Sequence, residues 1–227
     1  MSTVVQPRIS TNKRKKISSS SHLSLLLNKS QTSTSSIRKP IDPFEQRLNH
    51  IRIHLLNNKI QRKITYHEPT LIFDKFLYLG GLKSLRDKNR LVHLNITHIL
   101  SVLWIRPHKG SIPSNVKHLF IKAEDTFSFN MSPYFEQACQ FIEDARQSNG
   151  RILVHCACGV SRSTTLCCAY LIKNHLMSIE QALTEIRSHR PIVQPNPSFL
   201  RQLIRFNEQI ECDKAMINTI VEQLENV

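Results

Sequence analysis

The chain has 227 residues, 40% of them hydrophobic, with 31 Lys and Arg against 17 Asp and Glu, a formal net charge of +14. That length suits one well-buried domain with extra segments and is too short for two full-sized catalytic domains. No apolar stretch approaches the length that spans a bilayer, residues 1–20 are polar and basic rather than a signal peptide, and Met1-Ser2 lacks the glycine that myristoylation needs, so a soluble protein of the cytoplasm and/or nucleus is expected.

The basic excess is concentrated at the start: residues 1–65 hold thirteen Lys and Arg against two Asp and Glu. Residues 1–43 are rich in Ser, Thr, Lys and Arg, with Leu23 and Leu25 to Leu27 as their main apolar cluster and too little apolar content for a core, and read as a disordered tail. Lys13-Arg14-Lys15-Lys16 followed by Leu23-Ser24-Leu25 fits both a kinase-docking pattern and a nuclear signal, patterns that arise often by chance in basic tails. Nuclear import, an acidic protein groove, a membrane or nucleic acid could each use such a charge, and a solvated tail accounts for it without any of them; nucleic acid is not an expected partner. Over residues 44–65, Phe44, Leu48, Ile51 and Leu55 recur at helical spacing among Arg47, Arg52, Lys59, Arg62 and Lys63, predicting an amphipathic helix and linker that packs on the following domain rather than on a membrane.

From residue 66 the texture changes. Leu71 to Phe73, Phe76 to Leu79, Ile96 to Val102 and Val116 to Ile121 read as strands, with a helical stretch around Arg86 to Leu94. Lys88-Asn89-Arg90 lies in that stretch and reads as solvated charge. Ser132-Pro133 starts a helix with Phe135, Ala138, Phe141, Ile142 and Ala145 as its buried stripe, stopped by Gly150. Arg151 to Val154 is a buried strand, and a helical pattern begins at Ser161. Ser178-Ile179-Glu180-Gln181 has capping-box spacing and opens a helix stopped by Pro191, and Asn196-Pro197 caps another. Strands alternating with helices predict an α/β fold, a central mainly parallel sheet flanked by helices on both faces. Residues 211–227, with Ile217, Ile220, Val221 and Leu224 on one face, are expected to form a helix that packs back onto the domain. There are no internal repeats.

Val154-His155-Cys156-Ala157-Cys158-Gly159-Val160-Ser161-Arg162-Ser163 places a nucleophile and a fixed cation six positions apart, between a strand and a helix. A loop so placed turns the backbone N–H groups of residues 157–162 toward its own centre, and the helix adds its positive end, so the loop should bind an anion. The same N–H groups, the helix dipole and Arg162 favour the Cys156 thiolate and predict a depressed pKa. The six cysteines, at 139, 156, 158, 167, 168 and 212, lack the paired spacing of a structural zinc site and read as reduced thiols; no metal or cofactor is expected.

The run from His155 to Ser163 resembles His-Cys-x5-Arg-Ser/Thr, the pattern of cysteine-dependent protein tyrosine phosphatases, and Gly159-Val160-Ser161-Arg162-Ser163 is most similar to their dual-specificity branch. Tyr78-Leu79-Gly80, Ile96 to Leu100, Ala169-Tyr170-Leu171, Arg190-Pro191, Pro195-Asn196 and Gln202-Leu203 agree, so residues 66–210 are identified as a dual-specificity phosphatase catalytic domain of the small, atypical kind. The resemblance implies hydrolysis of phosphotyrosine and phosphoserine or phosphothreonine in proteins through a cysteinyl-phosphate, with mitogen-activated protein kinases among the candidate substrates. Cys156 would be the nucleophile, Arg162 the fork on the phosphate oxygens, and Ala157, Cys158, Gly159, Val160, Ser161 and Arg162 the phosphate loop. Asp125, thirty-one residues before Cys156, resembles the family's leaving-group acid, with Glu124 its competitor; Ser163 resembles the hydroxyl that helps the thiolate depart. His155 would orient the loop and Asn196 would brace it. Cys158 reads as a small space-filling residue, with a redox partner for Cys156 as the alternative. Two other functions compete: a phosphoinositide or RNA phosphatase with the same chemistry, against which the absence of lysine at Ala157 and Val160 argues for lipid, and a phosphoprotein-binding pseudophosphatase, against which the presence of Cys156, Arg162 and Asp125 argues.

Overall fold

Five short apolar runs form one sheet, in which β1 (Thr70–Phe73), β2 (Leu77–Gly80), β3 (Ile96–Leu103), β4 (Lys117–Lys122) and β5 (Arg151–His155) lie in the order β1-β2-β5-β3-β4. The computed structural model describes residues 42–57 and 67–225, so the basic tail and the linker beyond Asn57 lie outside the described residues. Only the β1–β2 hairpin is antiparallel; β2, β5, β3 and β4 pair in parallel. This is the mainly parallel α/β sheet that the alternation of elements predicts. Central β5 is apolar from Ile152 to Val154 and buried from Ile152 to His155 because both its faces are covered. Ile152 and Val154 join the main core, whereas Leu153 joins a smaller cluster with Tyr78, Leu85, Leu91, Ile96 and Ile99. That second face is closed by the short helix α2 (Lys88–His93), capped by Asp87, whose carboxylate accepts from the Arg90 amide at 2.9 Å.

The main face carries five helices. α1 (Pro43–Asn57) starts with proline in its first turn, while the Asp42 carboxylate accepts from the Phe44 amide at 3.1 Å. Leu48, Ile51 and Leu55 are buried in the main core, and the Leu55 carbonyl accepts from Arg187 Nη1 at 3.0 Å. Arg47 donates to Glu180 at 3.0 Å and to Asn207 Oδ1 at 3.1 Å. α3 (Phe135–Gln147) begins later than Ser132-Pro133, which form a 3₁₀ turn, and its buried stripe takes in Cys139 while Phe141 is only half-buried. α4 (Arg162–His175) is buried from Arg162 to Ile172 and ends on Leu176 in the left-handed region, φ 53°. α5 (Ile179–His189) has both bonds of the Ser178–Gln181 capping box.

α6 (Pro197–Glu225) corrects one expectation. It is a single 29-residue helix, and its C-terminal part does not return to the domain. No Gly or Pro interrupts residues 198–225, so helical propagation continues past the last packed side chain, Ile210, and leaves Ile217, Ile220, Val221 and Leu224 exposed. Among the described residues no helix is long and apolar enough to cross a membrane.

The parallel strands end together. Gly80, Leu103, Lys122 and His155 lie at one edge of the sheet, so the segments that follow β2, β3, β4 and β5 share that edge, where open α/β sheets bind ligands.

Candidate active site

The loop between β5 and α4 owes its shape to a full set of donors on its outer side. The Ala157 carbonyl accepts from the Leu82 amide at 2.9 Å, and the Cys158 and Gly159 carbonyls accept from Arg190 Nη2 at 3.4 Å and Nε at 3.0 Å. The Val160 carbonyl accepts from the Gln194 amide at 2.8 Å and the Thr164 hydroxyl at 3.0 Å, and the Ser161 carbonyl from the Thr165 amide and hydroxyl, each at 2.9 Å. With every carbonyl from 157 to 161 held outward, the amides turn toward the loop's centre. Gly159 permits this by adopting φ +67°; a Cβ there would lie 2.5 Å from the Gly80 carbonyl oxygen and 2.8 Å from Arg190 Nη2.

Cys156 sits at the base of this nest, 1% exposed. Its sulfur accepts from the Gly159 amide and from the Ser163 hydroxyl, each at 3.2 Å. Burial pushes the thiol pKa up, but the bonds from the Ser163 hydroxyl and the Ser163 and Val160 amides, with the nearby charge of Arg162, outweigh it and hold the thiol below its ordinary range. Arg162 is buried, and Nη1 donates to the Ala123 carbonyl at 3.1 Å. Its Nε has no hydrogen-bond partner among the described residues and lies 3.7 Å from Asp125 Oδ2. A buried guanidinium N–H left in this condition favours an anion beside it.

Asp125 reaches the loop from the segment after β4. Its Oδ1 accepts from the Ser161 hydroxyl at 2.7 Å and from Asn196 Nδ2 at 2.9 Å. Asn196 uses its other end to cap α6, Oδ1 accepting from the Phe199 amide at 3.0 Å, and its own amide donates to Ser161 Oγ at 3.1 Å. Glu124 is exposed beside Asp125. The structure therefore brings together Cys156, Ser161, Arg162, Ser163, Asp125 and Asn196. The Ser161 side chain faces Asp125 and Asn196, so any contribution it makes to an anion comes from its amide. Cys158 is exposed, so it fills no internal space, and the space-filling expectation does not hold. All six cysteines are unbridged, and among the described residues no three potential metal ligands cluster.

His155 is fully buried. Its Nδ1 lies 3.3 Å from the Cys156 carbonyl, which can only accept, so Nδ1 carries the proton and Nε2 accepts from the Ser101 hydroxyl at 2.6 Å. Ser101 Oγ in turn meets His118 Nε2 at 2.8 Å. Burial lowers the His155 pKa from 6.5 to about 4, despite the Cys156 carbonyl acting the other way. Between pH 6.5 and about 4 the unfolded chain binds the extra proton, so this residue's contribution, fully present above pH 6.5, is lost on acidification through that window. The loss should reach about 3 kcal/mol. Urea unfolding at pH 7 and pH 4.5 measures it, and His155→Gln should flatten the difference; an unchanged slope would show that His155 is not its source.

Two contributors were missed by the sequence reading: Ser101, whose signal was a hydroxyl within the apolar strand β3, and Arg190, noted only as part of a motif. Arg190 is fully buried and also donates to Thr70 Oγ1 at 2.9 Å, tying the loop to β1.

The fold resembles that of human DUSP28, with a TM-score of 0.60 and 26% identity over 63% of this chain and 95% of that one. Residues 77–209 match the family model for the dual specificity phosphatase catalytic domain. The chain belongs to the dual-specificity phosphatase family and is a phosphatase enzyme. It is 36% identical over 178 residues to Dual specificity protein phosphatase 1 of Arabidopsis thaliana, an alignment spanning 77% of this chain and 87% of the relative. It is 41% identical over 141 residues to MAP kinase phosphatase with leucine-rich repeats protein 3 of Dictyostelium discoideum, spanning 62% of this chain and 16% of that much longer protein.

Proposed function

We propose that the chain hydrolyses phosphotyrosine and phosphoserine or phosphothreonine esters of proteins through a cysteinyl-phosphate. The observation that carries this is the loop in which every carbonyl from Ala157 to Ser161 is held outward around a buried, hydrogen-bonded Cys156 sulfur. In the first step the Cys156 thiolate attacks phosphorus and the phosphorus–oxygen ester bond breaks. The inward amides and the Arg162 guanidinium stabilise the equatorial oxygens, and the Asp125 carboxyl gives its proton to the departing oxygen. Both clamping bonds on Asp125 fall on Oδ1, so Oδ2 carries that proton. In the second step the Asp125 carboxylate takes a proton from water, the resulting hydroxide attacks phosphorus, and the phosphorus–sulfur bond breaks. The Ser163 hydroxyl, already 3.2 Å from the sulfur, stabilises the leaving thiolate. The name of the Dictyostelium relative supports mitogen-activated protein kinases as substrates.

Asp125→Asn tests the assignment. It should lower kcat on a phosphoserine peptide by about 10²–10³-fold, with a much smaller loss on p-nitrophenyl phosphate, whose leaving group needs little protonation, and with little change in KM. A near-normal rate on the serine ester would remove Asp125 from the role and turn attention to Glu124.

A further inference from the structure

We propose that a groove beside the phosphate loop, walled by Leu82, Leu85, Leu103 and Ile105 and rimmed by Arg86 and Arg106, binds an anionic side chain that flanks the phosphoresidue of the substrate. The inference deepens the phosphoprotein reading and rests on it. β2 and β3 lie on either side of β5, so the segments that leave them, residues 82–86 and 103–111, flank the loop at 156–162 along the same sheet edge. They enclose a cavity of about 350 Å³. The Leu82 amide, at the groove wall, donates to the Ala157 carbonyl at 2.9 Å, so wall and phosphate loop are joined by a hydrogen bond.

The chemistry is amphipathic. Leu85 and Leu103 are buried and Leu82 and Ile105 largely exposed, a surface that suits the aliphatic stem of a side chain. Arg86 and Arg106 are exposed, and among the described residues no carboxylate pairs with either. The Arg106 guanidinium lies over the Phe120 ring, 4.6 Å from its centroid, an arrangement that anchors the group through its face and leaves its N–H edge for a carboxylate or phosphate. The phosphate loop contributes a single side-chain cation, Arg162. A second anion next to the phosphoester is therefore best accommodated outside the loop, and this groove is where the structure offers apolar wall and two exposed guanidinium groups together. Glutamate, aspartate and a second phosphoresidue share the required chemistry.

The test uses the full chain carrying Cys156→Ser and fluorescent phosphotyrosine peptides that differ at one flanking position at a time: Glu, phosphoserine or Gln. Anisotropy should give a dissociation constant about tenfold lower for at least one anionic peptide than for its Gln counterpart, the scale of one charge-assisted contact. The Glu and phosphoserine arms tell a carboxylate from a phosphate. Adding Arg86→Ala and Arg106→Ala should remove the preference, and Arg86→Lys with Arg106→Lys should restore part of it. Equal binding of all three peptides, or a preference that survives the paired alanine change, overturns the proposal. Hydrolysis of p-nitrophenyl phosphate by the chain with Cys156 intact, which the arginine changes should leave within about twofold, is read separately. Its failure would count against the phosphatase chemistry, whereas the peptide affinities decide the groove.

Discussion

Cys156→Ser should yield a folded protein that retains oxyanion binding and loses at least about 10⁴-fold in aryl phosphate hydrolysis. The side chain is almost isosteric, so the packing of its buried position survives. The donors that hold the sulfur, the Gly159 amide and the Ser163 hydroxyl, can bond a hydroxyl oxygen as well. What disappears is the nucleophile. A thiol lowered by the Ser163 and Val160 donors and by Arg162 gives up its proton more readily than a free one, whereas an alcohol at the same place keeps its proton and has no adjacent base to remove it. Vanadate or sulfate protection against thermal unfolding measures the retained binding, and p-nitrophenyl phosphate turnover measures the loss. Residual activity above about one per cent would show that another group attacks phosphorus.

Gly159→Ala is expected to be nearly as severe by a different route. At φ +67° the added methyl meets the Gly80 carbonyl oxygen at 2.5 Å, and that carbonyl is itself the acceptor of the Cys156 amide at 3.4 Å. Neither neighbour can give way cheaply: one is backbone of β2 and the other, Arg190, is fully buried and holds two loop carbonyls. The strained backbone and the overpacking together should cost about 2–4 kcal/mol of stability. The loop would relax by rotating a peptide, which aims a carbonyl rather than an amide at the phosphate, and kcat should fall by about 10²–10³-fold. Thermal unfolding and turnover of the same sample report both effects; an alanine protein with normal kcat would show that the left-handed residue is dispensable to the loop.

Much of this was legible in advance because it is local. The strands at β1 to β5 announced themselves as apolar runs, Ser178 and Gln181 as a capping box, and the nucleophile and cation as a fixed spacing between a strand and a helix. What escaped was contact between distant segments. Arg190 lies thirty-one residues beyond Gly159, and no spacing rule reveals that its guanidinium faces the loop's carbonyls. The partnership of Ser101 with His155 and His118 depends on strand order, which places β5 between β2 and β3 out of chain sequence. The course of α6 went astray for the opposite reason. Its apolar stripe is a sound helical signal, but amphipathicity states which face seeks cover, not that cover exists, and Ile217, Ile220 and Leu224 stay exposed. Cys158 was misread because a small residue in a tight loop suggests filling, while the loop's filling is done from outside by Arg190.

Because the carbonyls at 157 to 161 all have donors in the folded chain itself, the loop acquires its shape with the sheet and not on meeting a ligand. Such a receptor has little reorganisation energy, and its affinity for a tetrahedral anion becomes a gauge of the integrity of elements far from it: β1 through Thr70, the turn after α5 through Arg190 and Gln194, and the segment after β2 through Leu82. Substitutions that loosen any of these supports should announce themselves first as weakened oxyanion binding, before any loss of helix or sheet is visible.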